Sequence, residues 1–173
     1  VFDLDGTLVD TRRAVVEAYG AAGVKFPAFA WGLPWRAWLP GLYGEERAAE
    51  LHAKKTEFYP EMLLNHAEKL PAALVFCQLV AEGVSVGILT GASCSSARAA
   101  LEICEISQRH LLGWEKDYIG KGVVLKYLKQ AQNSVVYVDD DTNMKLVCSI
   151  GDINFVECRS SVNIYREIKK WTG

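Results

Sequence analysis

The sequence predicts an α/β protein: a three-layer, doubly wound parallel sheet with a small α-helical cap inserted after its first strand. Three observations predict it. Short apolar runs at residues 84–89, 135–138 and 153–156 alternate with segments whose apolar positions recur at helical spacing. Strands that are apolar throughout and alternate with helices form a parallel sheet covered on both faces, the Rossmann-like arrangement. An irregular block at residues 12–70 interrupts that alternation and reads as a single insertion. The expected division is a core of residues 1–11 and 71–173 and a helical cap of residues 12–70.

Val1-Phe2 reads as the end of the first strand. A buried strand usually runs to about five residues, so apolar residues are expected upstream of Val1. Asp10 or Thr11 can cap a helix in which Ala14, Val15, Ala18, Tyr19 and Ala22 share a face and which Gly23 stops. Residues 26–44 interleave Pro27, Gly32, Pro34, Pro40, Gly41 and Gly44 with Trp31, Trp35 and Trp38, a density that predicts short helical turns joined by loops. Residues 45–57 read as a helix and residues 60–68 as a second. Beyond Pro71 the spacing predicts helices at 72–81, 95–105, 121–130, 142–149 and 162–171, with the three apolar strands between them.

Composition excludes several classes of function. A chain of 173 residues supports one filled core, or one core with a modest insertion. A net charge of -2 gives no attraction to a nucleic-acid polymer or an anionic membrane. No apolar run approaches the roughly 18 residues that cross a bilayer, and no basic stretch followed by an apolar one marks a signal peptide. Cys77, Cys94, Cys104, Cys148 and Cys158 are odd in number and contain no Cys-x-x-Cys pair. Free thiols in a reducing compartment are expected, hence a cytoplasmic protein.

In a doubly wound sheet the ligand sits beyond the C-terminal strand ends. The first strand ends in Asp3-Leu4-Asp5-Gly6-Thr7, two carboxylates two residues apart with a glycine that permits a sharp turn. The strand at 135–138 ends in Asp139-Asp140-Asp141. Parallel strands bring both acidic ends to one edge, and close like charges there demand a proton or a cation. An oxygen-only cluster with open positions suits Mg2+. The strand at 84–89 ends in Thr90-Gly91-Ala92-Ser93, a hydroxyl and a tight turn at a helix start that together can cradle a phosphate. Lys121, in the sequence Lys121-Gly122, can reach the same edge and neutralise a carboxylate, with Lys116 as its rival.

These elements, in this order, resemble the haloacid dehalogenase superfamily of phosphohydrolases and phosphomutases across essentially the whole chain. Asp3, Asp5 and Thr7 match its first motif, Thr90 the second, Lys121 the third, and Asp139 with Asp140 the fourth. Some members carry a further acid four residues after the fourth-motif aspartate. Here those positions are Asn143 and Met144, so the chain resembles the variant with two adjacent acids.

The resemblance implies a Mg2+-dependent phosphatase acting on a small phosphorylated metabolite. Asp3 would be the nucleophile and Asp5 the general acid and base. Thr90, Gly91 and Lys121 would bind the phosphoryl oxygens. Asp3, Asp5 and Asp140 would hold the metal, with Asp139 assisting. Asp5 argues against a haloacid substrate, since the superfamily's dehalogenases lack the second acid. A phosphomutase of the β-phosphoglucomutase type and a catalytically silent binding module are the alternatives. The resemblance also gives the insertion the role of choosing substrate. Trp35 and Arg36 are its candidate contacts, with His52, Lys54 and Lys55 behind them, although the tryptophans can equally supply the core of a small cap.

Overall fold

A buried strand must find backbone partners on both sides, and Phe2 does so with a single residue. The computed structural model of the protein describes residues 1–158 and 161–172. Two compact units result: Val1–Asp10 with the chain from Glu68 onward, and Thr11–Ala67.

In chain order the elements are β1 (Val9–Asp10), α1 (Arg12–Ala21), α2 (Leu39–Tyr43), α3 (Glu45–His66), β2 (Glu68–Lys69), α4 (Pro71–Ala81), β3 (Ile88–Leu89), α5 (Cys94–Ile103), β4 (Leu111–Gly113), α6 (Tyr118–Ala131), β5 (Val136–Asp139), α7 (Asn143–Ile150), β6 (Asn154–Glu157) and α8 (Ser161–Thr172). No described helix is long and apolar enough to cross a membrane.

In the first unit β3 pairs with β4 and β5 with β6, both in parallel. Phe2 bridges Ile88 and Val138, again in parallel. Its N–H donates to the Gly87 carbonyl and its carbonyl accepts from Leu89 N–H, both at 2.9 Å, while Asp3 N–H donates to Val138 O at 2.8 Å. Phe2 meets Phe76 of α4 edge-on at 5.3 Å. A second cluster gathers Leu125 of α6 and Met144 and Cys148 of α7 around Tyr137 and Leu89. Because the strands run parallel, the residues that follow Phe2, Leu89 and Val138 leave the ladder at one edge.

Several elements differ from the sequence expectation. Of the strand expected at 84–89, only Ile88–Leu89 enters the ladder, where Phe2 and β4 supply partners. Strand β4 was not expected. It carries one extra residue between the partners of Ile88 and Leu89, namely Leu112. A short antiparallel ribbon of β1 and β2, with Val9 opposite Lys69, forms where the chain leaves this unit and returns. Helix α6 begins at Tyr118 instead of Lys121, because the Asp117 carboxylate accepts from Gly120 N–H at 2.7 Å and caps it.

In the second unit the break expected before Pro60 is absent, and α3 is one helix of 22 residues. Proline removes a backbone hydrogen bond and crowds the preceding turn. The buried stripe of Ala48, Leu51, Tyr59 and Leu63 nevertheless runs through it, and burying that stripe outweighs the cost. The expected short turns appear as two single 3-10 turns, Ala28–Ala30 and Trp35–Ala37, ahead of α2. Trp38 is core, packed edge-on against Tyr19 and Phe26. Trp35 is half-buried and lies flat against the His52 ring at 4.6 Å, with the Arg36 guanidinium 4.6 Å from its ring centre.

His52 sits between that stack and the Tyr19 hydroxyl, 3.4 Å from its Nδ1. Burial, reinforced by Lys55 and Arg36, lowers its pKa to about 4. An imidazole less basic folded than unfolded leaves the unfolded chain to bind the proton first. The stability this group confers is therefore complete above about pH 6.5 and lost as pH falls towards about 4. Urea midpoints of wild type and His52→Gln should converge between pH 7 and pH 4.5. A gap that stays constant over that range would refute the assignment.

Candidate active site

The first acidic segment turns back on itself immediately after Asp5. The Leu4 carbonyl accepts from Leu8 N–H at 2.8 Å and from Val9 N–H at 3.1 Å, and Gly6 N–H returns to Val9 O at 2.8 Å. Gly6 takes φ +84, and a Cβ there would run into the Asp140 carboxylate. Glycine is required on both counts. Thr7, fully buried, uses one hydroxyl twice: it donates to Asp140 Oδ1 at 3.3 Å and accepts from Asp140 N–H at 3.1 Å. That bond pair ties the first acidic segment to the one that follows β5.

Between them lies Lys121. Its ammonium donates to Asp3 Oδ1 at 2.5 Å and to Asp139 Oδ2 at 3.3 Å. All three side chains are buried. The other oxygen of Asp139 accepts from Asp141 N–H at 2.9 Å. Asp140 is exposed, and carboxylate oxygens of Asp3, Asp139 and Asp140 lie within 4.8 Å of one another.

One ammonium cannot neutralise three carboxylates. Burial pushes the Asp3 carboxyl well above the usual range; Lys121 opposes this, and Asp139 and Asp5 add to it. Asp140, exposed on one side but with its carboxylate partly desolvated against Thr7, is raised as well, by that desolvation first and by Asp139 second. Burial works against the Lys121 charge, yet Asp3 and Asp139 outweigh it and hold the ammonium above its ordinary pKa. The cluster therefore favours additional positive charge, as a proton or a cation. Its donors are carboxylate oxygens alone with one exposed side, which fits a hard divalent ion such as Mg2+.

Thr90, fully buried, follows β3 directly. Its hydroxyl accepts from Ala92 N–H at 3.0 Å and donates to Asp5 Oδ2 at 3.2 Å. The two candidate lysines are separated by their contacts. Lys121 reaches Asp3, whereas Lys116 uses its backbone, donating to the Thr90 carbonyl at 3.0 Å while its side chain lies along Gly113 and Gly120. A Cβ on Gly91 would stand in ordinary contact with the Lys116 carbonyl, so nothing crowds that position. Asp3, Asp5, Thr90, Gly91, Lys121, Asp139 and Asp140 all belong to the first unit. Trp35 and Arg36 belong to the second.

Two features escaped the sequence. The Thr7 bridge to Asp140 spans 133 residues and leaves no local signal. The engagement of Asp141 with Asp139 has a partial one, since an aspartate shortly before a helix commonly binds backbone N–H groups.

No protein-family model and no curated protein matches the chain by sequence. Solved structures do match its fold. A haloacid dehalogenase-like hydrolase from Streptococcus pneumoniae superposes with a TM-score of 0.71 at 18% identity, over 90% of this chain and 81% of that one. A hydrolase from Pseudomonas syringae gives 0.71 at 17% identity, over 98% and 96%. A haloacid dehalogenase family hydrolase from Deinococcus radiodurans, with bound phosphate and sodium, gives 0.59 at 14% identity, over 89% and 77%. The chain has the haloacid dehalogenase-like α/β fold.

Lys121→Met removes the charge that Asp3 and Asp139 share. Breaking a buried ion pair in this way typically costs about 3–5 kcal/mol. The remaining carboxylates then have folded pKa values above their unfolded ones, so they bind protons more tightly when folded and the variant gains stability as pH falls. Urea denaturation of metal-free protein should show a large deficit at pH 7.5 and a smaller one at pH 5. Added Mg2+ should narrow it at pH 7.5. A deficit that ignores both pH and Mg2+ would contradict the electrostatic account.

Proposed function

We propose that the protein is a Mg2+-dependent phosphohydrolase that cleaves a small phosphorylated metabolite through an aspartyl-phosphate on Asp3. The observation that carries this is a buried Asp3 held 2.5 Å from the Lys121 ammonium, with Asp139 and Asp140 completing an oxygen cluster beside it. The fold it shares with structures described as haloacid dehalogenase-like hydrolases supports the same conclusion. The core is read as a three-layer doubly wound sheet, and the Thr11–Ala67 unit as a cap in which Trp35 and Arg36 meet the substrate.

Asp3, Asp140 and the Asp5 backbone carbonyl would hold the ion, with Asp139 assisting from its place on Lys121. Bound Mg2+ would supply charge that brings a phosphate dianion beside carboxylates. Lys121 holds Asp3 in place for attack and, with the Thr90 hydroxyl and the Gly91 N–H, offers donors to the phosphoryl oxygens. As the bond from Asp3 to phosphorus forms, the ester P–O bond breaks, and protonated Asp5 gives its proton to the departing oxygen. Asp5 then takes a proton from water as the water oxygen displaces Asp3 from phosphorus. The Thr90 hydroxyl has one proton to give: it rests on Asp5 Oδ2 without substrate and turns to a phosphoryl oxygen when substrate binds.

p-Nitrophenyl phosphate separates the two acids, because its leaving group needs no proton. Asp3→Asn should lower turnover with Mg2+ by about a thousandfold or more. Asp5→Asn should still phosphorylate Asp3 but hydrolyse slowly, accumulating a phosphoenzyme visible by intact-protein mass spectrometry. Equal rates for wild type and Asp3→Asn would sink the nucleophile assignment. Transfer of the enzyme-bound phosphate to a sugar hydroxyl instead of water would identify a mutase, and inactivity across a panel of phosphates would identify a binding module.

A further inference from the structure

The turn that carries Lys121 is weak by sequence. Gly120 and Gly122 flank the lysine within the first turn and a half of α6, and each glycine disfavours helix by about 1 kcal/mol relative to alanine. Gly122 is the more constrained of the two. A Cβ on Gly122 would come within 2.7 Å of Val147 on α7, and one on Gly120 within 3.2 Å of the Asp117 carboxylate that caps the helix. Close packing of α6 on α7 at Gly122 therefore requires a poor helix start, although the ammonium presented there sits 2.5 Å from Asp3.

A second set of contacts supports that turn. Tyr118 lies three residues before Lys121, so both project from one side of the helix. The Tyr118 hydroxyl donates to Asp141 Oδ2 at 2.5 Å. Asp141 N–H donates to Asp139 Oδ1 at 2.9 Å, and Asp139 Oδ2 accepts from Lys121 at 3.3 Å. The bonds run from α6 to the segment after β5 and back to α6. Asp141 is itself fixed, its Oδ1 accepting from the backbone N–H and side-chain amide of Asn143 at 2.9 and 2.8 Å.

We propose that Tyr118 is a positioning residue for Lys121: its hydrogen bond to Asp141 clamps the glycine-flanked first turn of α6 to the end of β5 and keeps the ammonium on Asp3 and Asp139. Burial and the Asp141 carboxylate raise the Tyr118 phenol to about 12, so it keeps its proton and acts as a donor through neutral pH. Tyr118 is 39% exposed, and a hydrogen bond at such a site adds little to global stability. What it controls is the orientation of one turn. The effect on turnover rests on the phosphohydrolase reading; the effect on Lys121 does not.

The test uses the whole metal-free protein, so it does not depend on catalysis. Tyr118→Phe is pulse-labelled with acetic anhydride, and Lys121 modification is read by peptide mass spectrometry against Lys126, an exposed lysine further along the same helix. Lys121 labelling should rise about five- to tenfold, within the range one hydrogen bond can supply, with Lys126 labelling and the urea midpoint unchanged. Asp141→Ala should raise it similarly, and the double variant should add nothing, as expected for two ends of one bond. In the Mg2+ assay with p-nitrophenyl phosphate, kcat should fall by a similar factor while KM changes less. Lys121 labelling within about twofold of wild type, a parallel rise at Lys126, or additive effects in the double variant would each overturn the proposal. Changed labelling without phosphatase activity in the wild type would leave it standing and reject the phosphohydrolase reading instead.

Discussion

Two buried carboxylates share one ammonium, and most of the site's architecture follows from making that tolerable. Asp3 and Asp139 can approach because they end adjacent parallel strands, with Phe2 paired to Val138. Burying them is costly unless a cation is close, and α6 delivers Lys121 between them. A third carboxylate, Asp140, is turned to the exposed side and anchored there by Thr7. The absence of a side chain at Gly6 lets that carboxylate sit against the first acidic turn. The surplus negative charge that remains favours a further proton or an oxygen-coordinated cation at the cluster.

Much of this was legible in the sequence because it is local. Apolar runs followed by acids placed Asp3, Asp139 and Asp140 at strand ends, and parallel pairing then implied a common edge. The choice between Lys121 and Lys116 was not legible. Both precede the same strand, and only the capped start of α6 at Asp117 fixes which of them faces Asp3. Thr7 was visible as part of the first acidic segment, but its role depends on a residue 133 positions away.

The fold shows the same division. Helices with periodic apolar faces were read within a few residues of their bounds. The elements that escaped have only two or three residues, β4 and the ribbon of β1 with β2, and they form because a partner lies alongside, not through their own pattern. Pro60 misled in the opposite direction: a local breaker was overridden by a buried stripe four turns long. The tryptophans divide as their surroundings dictate. Trp38 fills the core of its unit, while Trp35 stacks on an imidazole that burial and two neighbouring cations keep uncharged at neutral pH.

The contacts that assemble the site have a kinetic consequence. Lys121 meets Asp3 across 118 residues, Thr7 meets Asp140 across 133, and Thr90 meets Asp5 across 85. Closing such loops costs entropy before any contact rewards it, which favours forming these pairings after the local ones. Helices α6 and α7 can form and pack early, being neighbours in sequence, yet the ammonium they carry has no counter-charge from the first strand until Phe2 enters between Ile88 and Val138. Arrival of that strand completes the sheet and brings Asp3 onto Lys121 in a single step.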